Sequence, residues 1–398
     1  MTRRPSLAEL ALALLSLALS ALAAELYLRH YRPVHGVLYR LHPRYLHTLV
    51  PGARRLFIHP PEDGGGSVLV TVNTDGFLGP ELLTGRGNAR RIVVYGDSFV
   101  AGEFSPLPER FATQLALRLS EPGRPPVEAV NAGVVGYGPD QEALRLEDEI
   151  GPLRPDLVVV AVFAGNDFGD LLRDKIFRLD EAGHLAPRTP HLGDALRVEF
   201  GHADRQGQGS MLLSGLRELW RRPWAEPRPD SLLPGGGFPY LLQRRGREYE
   251  LSVHDGTDTV EHLLGDPYDA DVSFAPKADS SRYKTALIAQ VLLRMADTAR
   301  AHDVPLVFVF IPSAYDVGEG FEHPDRAAFP SYHPLALTDA LVESAKANGL
   351  LDVDLGPVFQ AARPQRLFFR RDEHWNALGQ AVAAERVAAR IRDRGLLK

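Results

Sequence analysis

Ser98 stands directly after the short apolar run Ile92-Val93-Val94-Tyr95 and the turn residues Gly96-Asp97, a placement that would expose its hydroxyl at the edge of a sheet. A serine hydroxyl is a weak nucleophile at neutral pH and needs a base within hydrogen-bond reach, itself oriented by a third group. His374 is a candidate base, and Asp372, two residues earlier, is a candidate acceptor for its Nδ1 proton, which would leave Nε2 facing Ser98. A carbonyl under attack becomes an oxyanion and needs hydrogen-bond donors fixed in advance. The backbone N–H groups of Ser98 and Gly133 and the side-chain amide of Asn166 are the candidates. Glycine lets a substrate approach the main chain, and an asparagine amide donates without carrying charge. Taken singly, each residue also has a plain structural reading: Ser98 as a helix cap, Gly133 as a turn glycine, Asn166 with Asp167 as turn caps, His374 as a satisfied core histidine, Asp372 as a solvated charge. Those readings leave their joint placement unexplained.

That placement depends on the elements around them. Apolar runs at Ile92–Tyr95, Val127–Val130, Leu157–Phe163, Pro305–Ile311 and Leu350–Leu355 read as five strands, the third apolar on both faces as a central parallel strand should be. Between and after them lie helical patterns: one opened by Pro108 with Phe111, Leu115 and Leu119 in register, then Asp140–Ile150, Ser281–Ala301, Leu335–Asn348 and Ala377–Arg394. Strands alternating with amphipathic helices predict a doubly wound α/β domain on a five-stranded parallel sheet of flavodoxin-like type. Ligands of such sheets bind beyond the carboxyl ends of the strands. Ser98, Gly133 and Asn166 each follow a predicted strand, and Asp372 and His374 lie past the fifth.

The remainder divides in three. Arg3 and Arg4 precede Leu10–Ala24, a run of Leu and Ala with only Ser16 and Ser20; extended to Leu7–Leu28 it is long enough to span a bilayer. Residues 1–28 are therefore expected to be an uncleaved transmembrane anchor, with a cleaved signal as the alternative. Arg29, Arg32, Arg40 and Arg44 follow the segment and compete with Arg3 and Arg4 for the inside, and the catalytic domain is placed on the extracytoplasmic side, in the periplasm or at the cell surface, or secreted after cleavage. Residues 29–90 read as an irregular lead-in with one short strand, Ser67–Val72, and a turn at Asn73–Gly76. Residues 91–398 form the α/β domain, and 171–280, which breaks the strand and helix rhythm, reads as an inserted cap.

The blocks Gly96-Asp97-Ser98-Phe99, Asn131-Ala132-Gly133, Gly165-Asn166-Asp167 and Asp372-Glu373-His374-Trp375-Asn376, in this order, resemble those of the SGNH or GDSL hydrolases. With the apolar N-terminus and the Val70–Phe77 lead-in, the chain looks like a bacterial membrane-anchored branch of that family. The resemblance implies a Ser98–His374–Asp372 triad, an oxyanion site of Ser98, Gly133 and Asn166, and a serine esterase working through an acyl-enzyme on a small-molecule or glycan ester. An O-acyltransferase acting on a cell-envelope or secreted polysaccharide would use the same residues, and a non-catalytic envelope binding protein is a third possibility. One position departs from the family's commoner spacing: three residues before the histidine stands Arg371, so Asp372 matches a shorter variant.

Other classes are excluded or declined. With 45 Lys+Arg against 51 Asp+Glu the net charge is −6, which argues against nucleic-acid binding. The chain has no cysteine, hence no disulfide, thiolate metal site or cysteine nucleophile. Asp255, Asp258, Asp266, Asp269 and Asp271 with His254 and His262 fit neither a calcium loop nor a zinc pair, and Gly64–Gly66 and Gly235–Gly237 lack the Lys-Ser/Thr of a phosphate loop. No metal and no cofactor is expected. Trp220 and Trp224 read as contacts within the insertion, and Arg370-Arg371 as a possible anion contact beside the triad.

Overall fold

The computed structural model describes residues 6–31, 38–58, 66–190, 212–213, 272–273, 276–277, 279–317, 333, 335–362, 366–369 and 374–397. Asp372, Arg370, Arg371, Trp220, Trp224, Gly235–Gly237 and the acidic stretch around Asp255–Asp271 lie outside these residues, as does most of the insertion.

Helix α1 (Leu7–Tyr31) is apolar on every side. Its Leu7–Tyr27 stretch has a mean hydropathy of 2.1 and none of it is buried, so by length and composition it can cross a membrane. The lead-in that follows holds more structure than the expected single strand: β1 (Tyr39–His42) pairs with β2 (Leu46–Leu49), and β3 (Arg54–Ile58) with β4 (Ser67–Thr71), both antiparallel. Strand β4 shows why its register holds, because Val68 and Val70 are buried while Ser67 and Leu69 face outward.

The core is a single five-stranded sheet, all parallel. Its strands are β5 (Arg90–Gly96), β6 (Val127–Gly133) and β7 (Leu157–Phe163), then, after the small hairpin β8 (Phe177–Leu179) and β9 (Leu185–Pro187), β10 (Leu306–Ile311) and β11 (Asp352–Asp354). Their spatial order is β11-β10-β7-β5-β6, so the chain starts in the middle, steps to one edge, and returns across β5 to build the other half. The strand order reverses between β5 and β7, and the crevice at such a reversal is where open α/β sheets bind ligands.

Alternation along the strands feeds two cores. Ile92 and Val94 face one side, where α3 (Phe111–Leu119) packs beside the last helix, α10 (Ala377–Asp393); α2 (Ser98–Ala101), α7 (Ala314–Val317) and α9 (Gly356–Ala361) add to that layer. Val93 and Tyr95 face the other, covered by α4 (Pro139–Leu153), α5 (Asp167–Asp174), α6 (Asp279–Ala301) and α8 (Ala336–Ala347), with the lead-in hairpins joining that cluster. All seven residues of β7 are buried, as the both-sided apolar run requires.

Candidate active site

Strand β5 ends at Gly96 and turns at once into α2, so Asp97 is the N-cap and Ser98 the first helical residue. The Asp97 carboxylate accepts the Phe99 N–H at 2.8 Å, the ordinary capping bond, and the Ser98 Oγ donates to its other oxygen at 3.4 Å. Asp97, Phe99, Val100 and Ala101 are buried and Ser98 is partly exposed. The turn therefore sends one polar side chain outward and buries its neighbours.

His374 reaches this turn through the residue after it. The Trp375 indole is 1 % exposed and its Nε1–H donates to the Phe99 carbonyl at 2.9 Å. Its ring packs on Phe111 and Phe99 with centroids 5.2 and 5.5 Å away. A bridge between Phe368 and Trp375, and the Phe369 N–H donating to the His374 carbonyl at 3.0 Å, fix the backbone on either side. Asn376 then caps α10: its Oδ1 accepts the N–H groups of Leu378 and Gly379, and its amide donates to the carbonyls of Arg366 and Phe368. Held between these anchors, the His374 imidazole lies 4.9 Å from the Phe99 ring and 5.7 Å from the Phe104 ring, centroid to centroid. The histidine is thus brought against the residue that follows Ser98.

Two buried carboxyl groups share its surroundings. Burial pushes Asp97 up to about 6, against the opposing pull of the Phe99 N–H, the His374 imidazole and the Ser98 hydroxyl. Glu103 is also raised by burial, while the hydrogen bond from the Tyr39 hydroxyl and the charges of Arg55, Arg110 and His374 hold it down. The sequence carried no sign of Glu103, because the groups around it, Tyr39 and Arg55 of the lead-in with Arg110 and His374, come from other parts of the chain.

Asn166 is the N-cap of α5, at the end of β7 and next to β5. Its Oδ1 is buried and finds no hydrogen-bond partner among the described residues. The adjoining Asp167 accepts the Phe163 N–H at 2.7 Å, which closes the turn and leaves Asn166 at the strand end.

Gly133 sits differently from the expectation. Its N–H donates to Asn131 Oδ1 at 3.0 Å, and a Cβ built on it would lie 2.3 Å from the Ala101 nitrogen. Gly133 is the place where β6 packs against the back of α2, and its amide is taken up by the Asn131 side chain. Three residues on, Gly136 is exposed with φ +76°, a Cβ there would meet nothing within 4 Å, and its N–H makes no hydrogen bond among the described residues. Asn131 explains the difference, since an asparagine side chain readily takes the N–H two residues on.

Residues 271–398 match the family model described as "SGNH hydrolase-like domain, acetyltransferase AlgX". This stretch carries β10, β11, α10 and His374; Ser98, Gly133, Gly136 and Asn166 precede it. No curated protein matches the sequence. Similar solved structures include TesA (13 % identity, 76 % of this chain and 99 % of that one, TM-score 0.37), the acetyl xylan esterase AlAXEase (14 %, 76 % and 98 %, 0.35) and a GDSL-like lipase from Bacteroides thetaiotaomicron VPI-5482 (12 %, 79 % and 92 %, 0.35). The five-stranded parallel sheet with helices on both faces is consistent with the α/β fold of the SGNH hydrolases, and the family match agrees with the resemblance over the stretch that carries the last of the four sequence blocks.

Proposed function

We propose that this SGNH hydrolase-like chain transfers an acyl group through Ser98, passing it from an ester donor to a hydroxyl acceptor. The observation that carries the reading is the Trp375 Nε1–Phe99 carbonyl bond, which ties the His374 loop to the turn of Ser98 across the whole domain. In the first step Ser98 Oγ attacks the ester carbonyl and its proton passes to His374 Nε2. The oxyanion is received by the N–H groups of Ser98 and Gly136 and the side-chain amide of Asn166, with Gly136 taking the place first assigned to Gly133. The C–O bond to the alcohol breaks, and that alcohol leaves with the proton from His374. An acceptor hydroxyl then gives its proton to His374, attacks the acyl-enzyme, and returns Ser98 to its starting state. Asp372, outside the described residues, is proposed as the acid that orients His374. The chemistry needs no metal or cofactor.

The choice of transfer over hydrolysis, and of acetyl as the acyl group, follows the family match over residues 271–398, whose description is an acetyltransferase; a glycan hydroxyl is taken as acceptor from the expectation drawn from the sequence blocks. Hydrolysis is the second reading, favoured by the partial exposure of Ser98 to water. Helix α1 is proposed to anchor the domain in a membrane, or to direct its export before cleavage, with the catalytic domain on the extracytoplasmic side. The test is to supply an activated acetyl ester with and without added polysaccharides and to follow acetate by mass spectrometry. Acetylated glycan that disappears in Ser98→Ala is the expected result; free acetate alone, unchanged by any glycan, selects hydrolysis.

A further inference from the structure

The lead-in hairpin β1–β2 packs into the core on the Val93 and Tyr95 face of the sheet, and it also grips the loop that carries Gly136. His47, 1 % exposed, places its Nε2 2.9 Å from the Val135 carbonyl oxygen. A carbonyl only accepts, so Nε2 carries the proton. Burial pushes this imidazole down to about 4, which keeps the ring neutral at neutral pH. The Val135 backbone also hydrogen-bonds the Tyr39 hydroxyl, which in turn donates to Glu103. Tyr137, just past Gly136, returns the contact: its hydroxyl donates to the His47 carbonyl at 2.6 Å and its ring meets the imidazole edge-on at 5.0 Å. Gln141 adds a bond from its amide to the Tyr45 carbonyl at 2.6 Å. The hairpin and the loop are thus joined at both ends.

The consequence comes from the peptide unit. The carbonyl of Val135 and the N–H of Gly136 lie on opposite edges of one planar amide. A donor that fixes the oxygen fixes the direction of the N–H, and it also polarises the amide and strengthens that N–H as a donor. A glycine at φ +76° has wide backbone freedom and needs such a hold to keep one direction.

We propose that His47 is a positioning residue for the oxyanion site, its Nε2–H orienting and polarising the Val135–Gly136 peptide so that the Gly136 N–H meets the developing oxyanion. The inference rests on the assignment of Gly136 and Ser98 made above. It gives the lead-in a role in transition-state stabilisation, so that the α/β domain without its hairpin lacks a properly aimed donor.

The test uses the full chain with His47→Phe, which keeps a ring and removes the donor, and His47→Gln, whose amide N–H can reach the place of Nε2. His47→Phe is expected to lower kcat on an activated acetyl ester by about 10- to 100-fold with KM within about twofold, somewhat less than the loss of a whole oxyanion donor. His47→Gln should recover most of that loss. Affinity for a boronic acid that forms a tetrahedral adduct on Ser98 should fall in step with kcat. An unchanged kcat in His47→Phe, or a loss that His47→Gln does not rescue, overturns the proposal. If His47→Phe does not fold, Tyr137→Phe removes only the hydroxyl that holds the His47 carbonyl, and is expected to lower kcat several-fold; no change there overturns the proposal equally. Ser98→Ala separates the two levels. Full activity without Ser98 refutes the site itself and His47 with it, whereas activity lost in Ser98→Ala but kept in His47→Phe refutes His47 alone.

Discussion

Trp375→Phe probes the link on which the site is built. The Phe99 carbonyl lies in a helix of only four residues and so has no helical partner of its own; the indole supplies it. Removing that donor leaves a buried carbonyl unsatisfied, at about 1–3 kcal/mol. Replacing indole by phenyl also leaves a void of roughly 40 Å³, which at about 24 cal/mol per Å³ adds about 1 kcal/mol. The sum is about 2–4 kcal/mol, to be read as a lowered midpoint of urea unfolding followed by circular dichroism at an unchanged m-value. Because His374 is the adjacent residue, the same substitution should lower kcat on an activated acetyl ester by about 10-fold or more, a factor of ten being about 1.4 kcal/mol of lost transition-state stabilisation. Trp375→Phe with wild-type stability would refute the packing argument. Lost stability with wild-type kcat would show that His374 is not the group held at Ser98.

Other substitutions test neighbouring steps. Asp97 is pushed by burial to about 6 from an ordinary 3.8, so the folded state favours its protonated form: the stabilisation is fully present below pH about 4 and is lost as pH rises through about 6. At about 1.36 kcal/mol per unit, Asp97→Asn should gain up to about 3 kcal/mol relative to the wild type between pH 4 and pH 7.5, measured by urea unfolding at both; a constant difference would contradict the assigned burial effect. Gly133→Ala would put a methyl 2.3 Å from the Ala101 nitrogen, a backbone atom that has nowhere to yield, so it should fold poorly or not at all. Gly136→Ala meets open space and should fold with a loss of about 1–2 kcal/mol for its positive φ, while its kcat falls more than its KM rises. The opposite pattern, a folded but inactive Gly133→Ala beside an active Gly136→Ala, would restore Gly133 as the oxyanion donor.

The sheet was legible because its strands are apolar where it is most buried. Leu157–Phe163 is buried throughout and matches the expected strand residue for residue, and Phe111, Leu115 and Leu119 fall on the buried face of α3 as their spacing requires. The lead-in was not legible beyond Ser67–Val72, for a physical reason: the polar-tipped Tyr39 and His47 of β1 and β2 are buried by distant partners while Arg40 is exposed, which leaves no apolar alternation to read. Within the site, Ser98 and Asn166 stand just past the strands they were expected to follow, and His374 lies beyond the fifth strand, shortly before the last helix. Gly133 differed because a local interaction decides it. Asn131 claims the amide two residues on, and the free N–H moves to Gly136, so the pair Asn131 and Gly133 was itself a signal of a side chain capping its own strand end. The role of Trp375 was not legible, since nothing in sequence says that its Nε1 bonds a carbonyl 276 positions away.

Labelling with a fluorophosphonate, with the modified residue located by mass spectrometry of the intact chain and of His374→Ala, tests the central claim most directly. A single adduct on Ser98 that vanishes in His374→Ala is the predicted result. An adduct on another serine, or labelling of Ser98 that proceeds undiminished without the imidazole, would contradict the account.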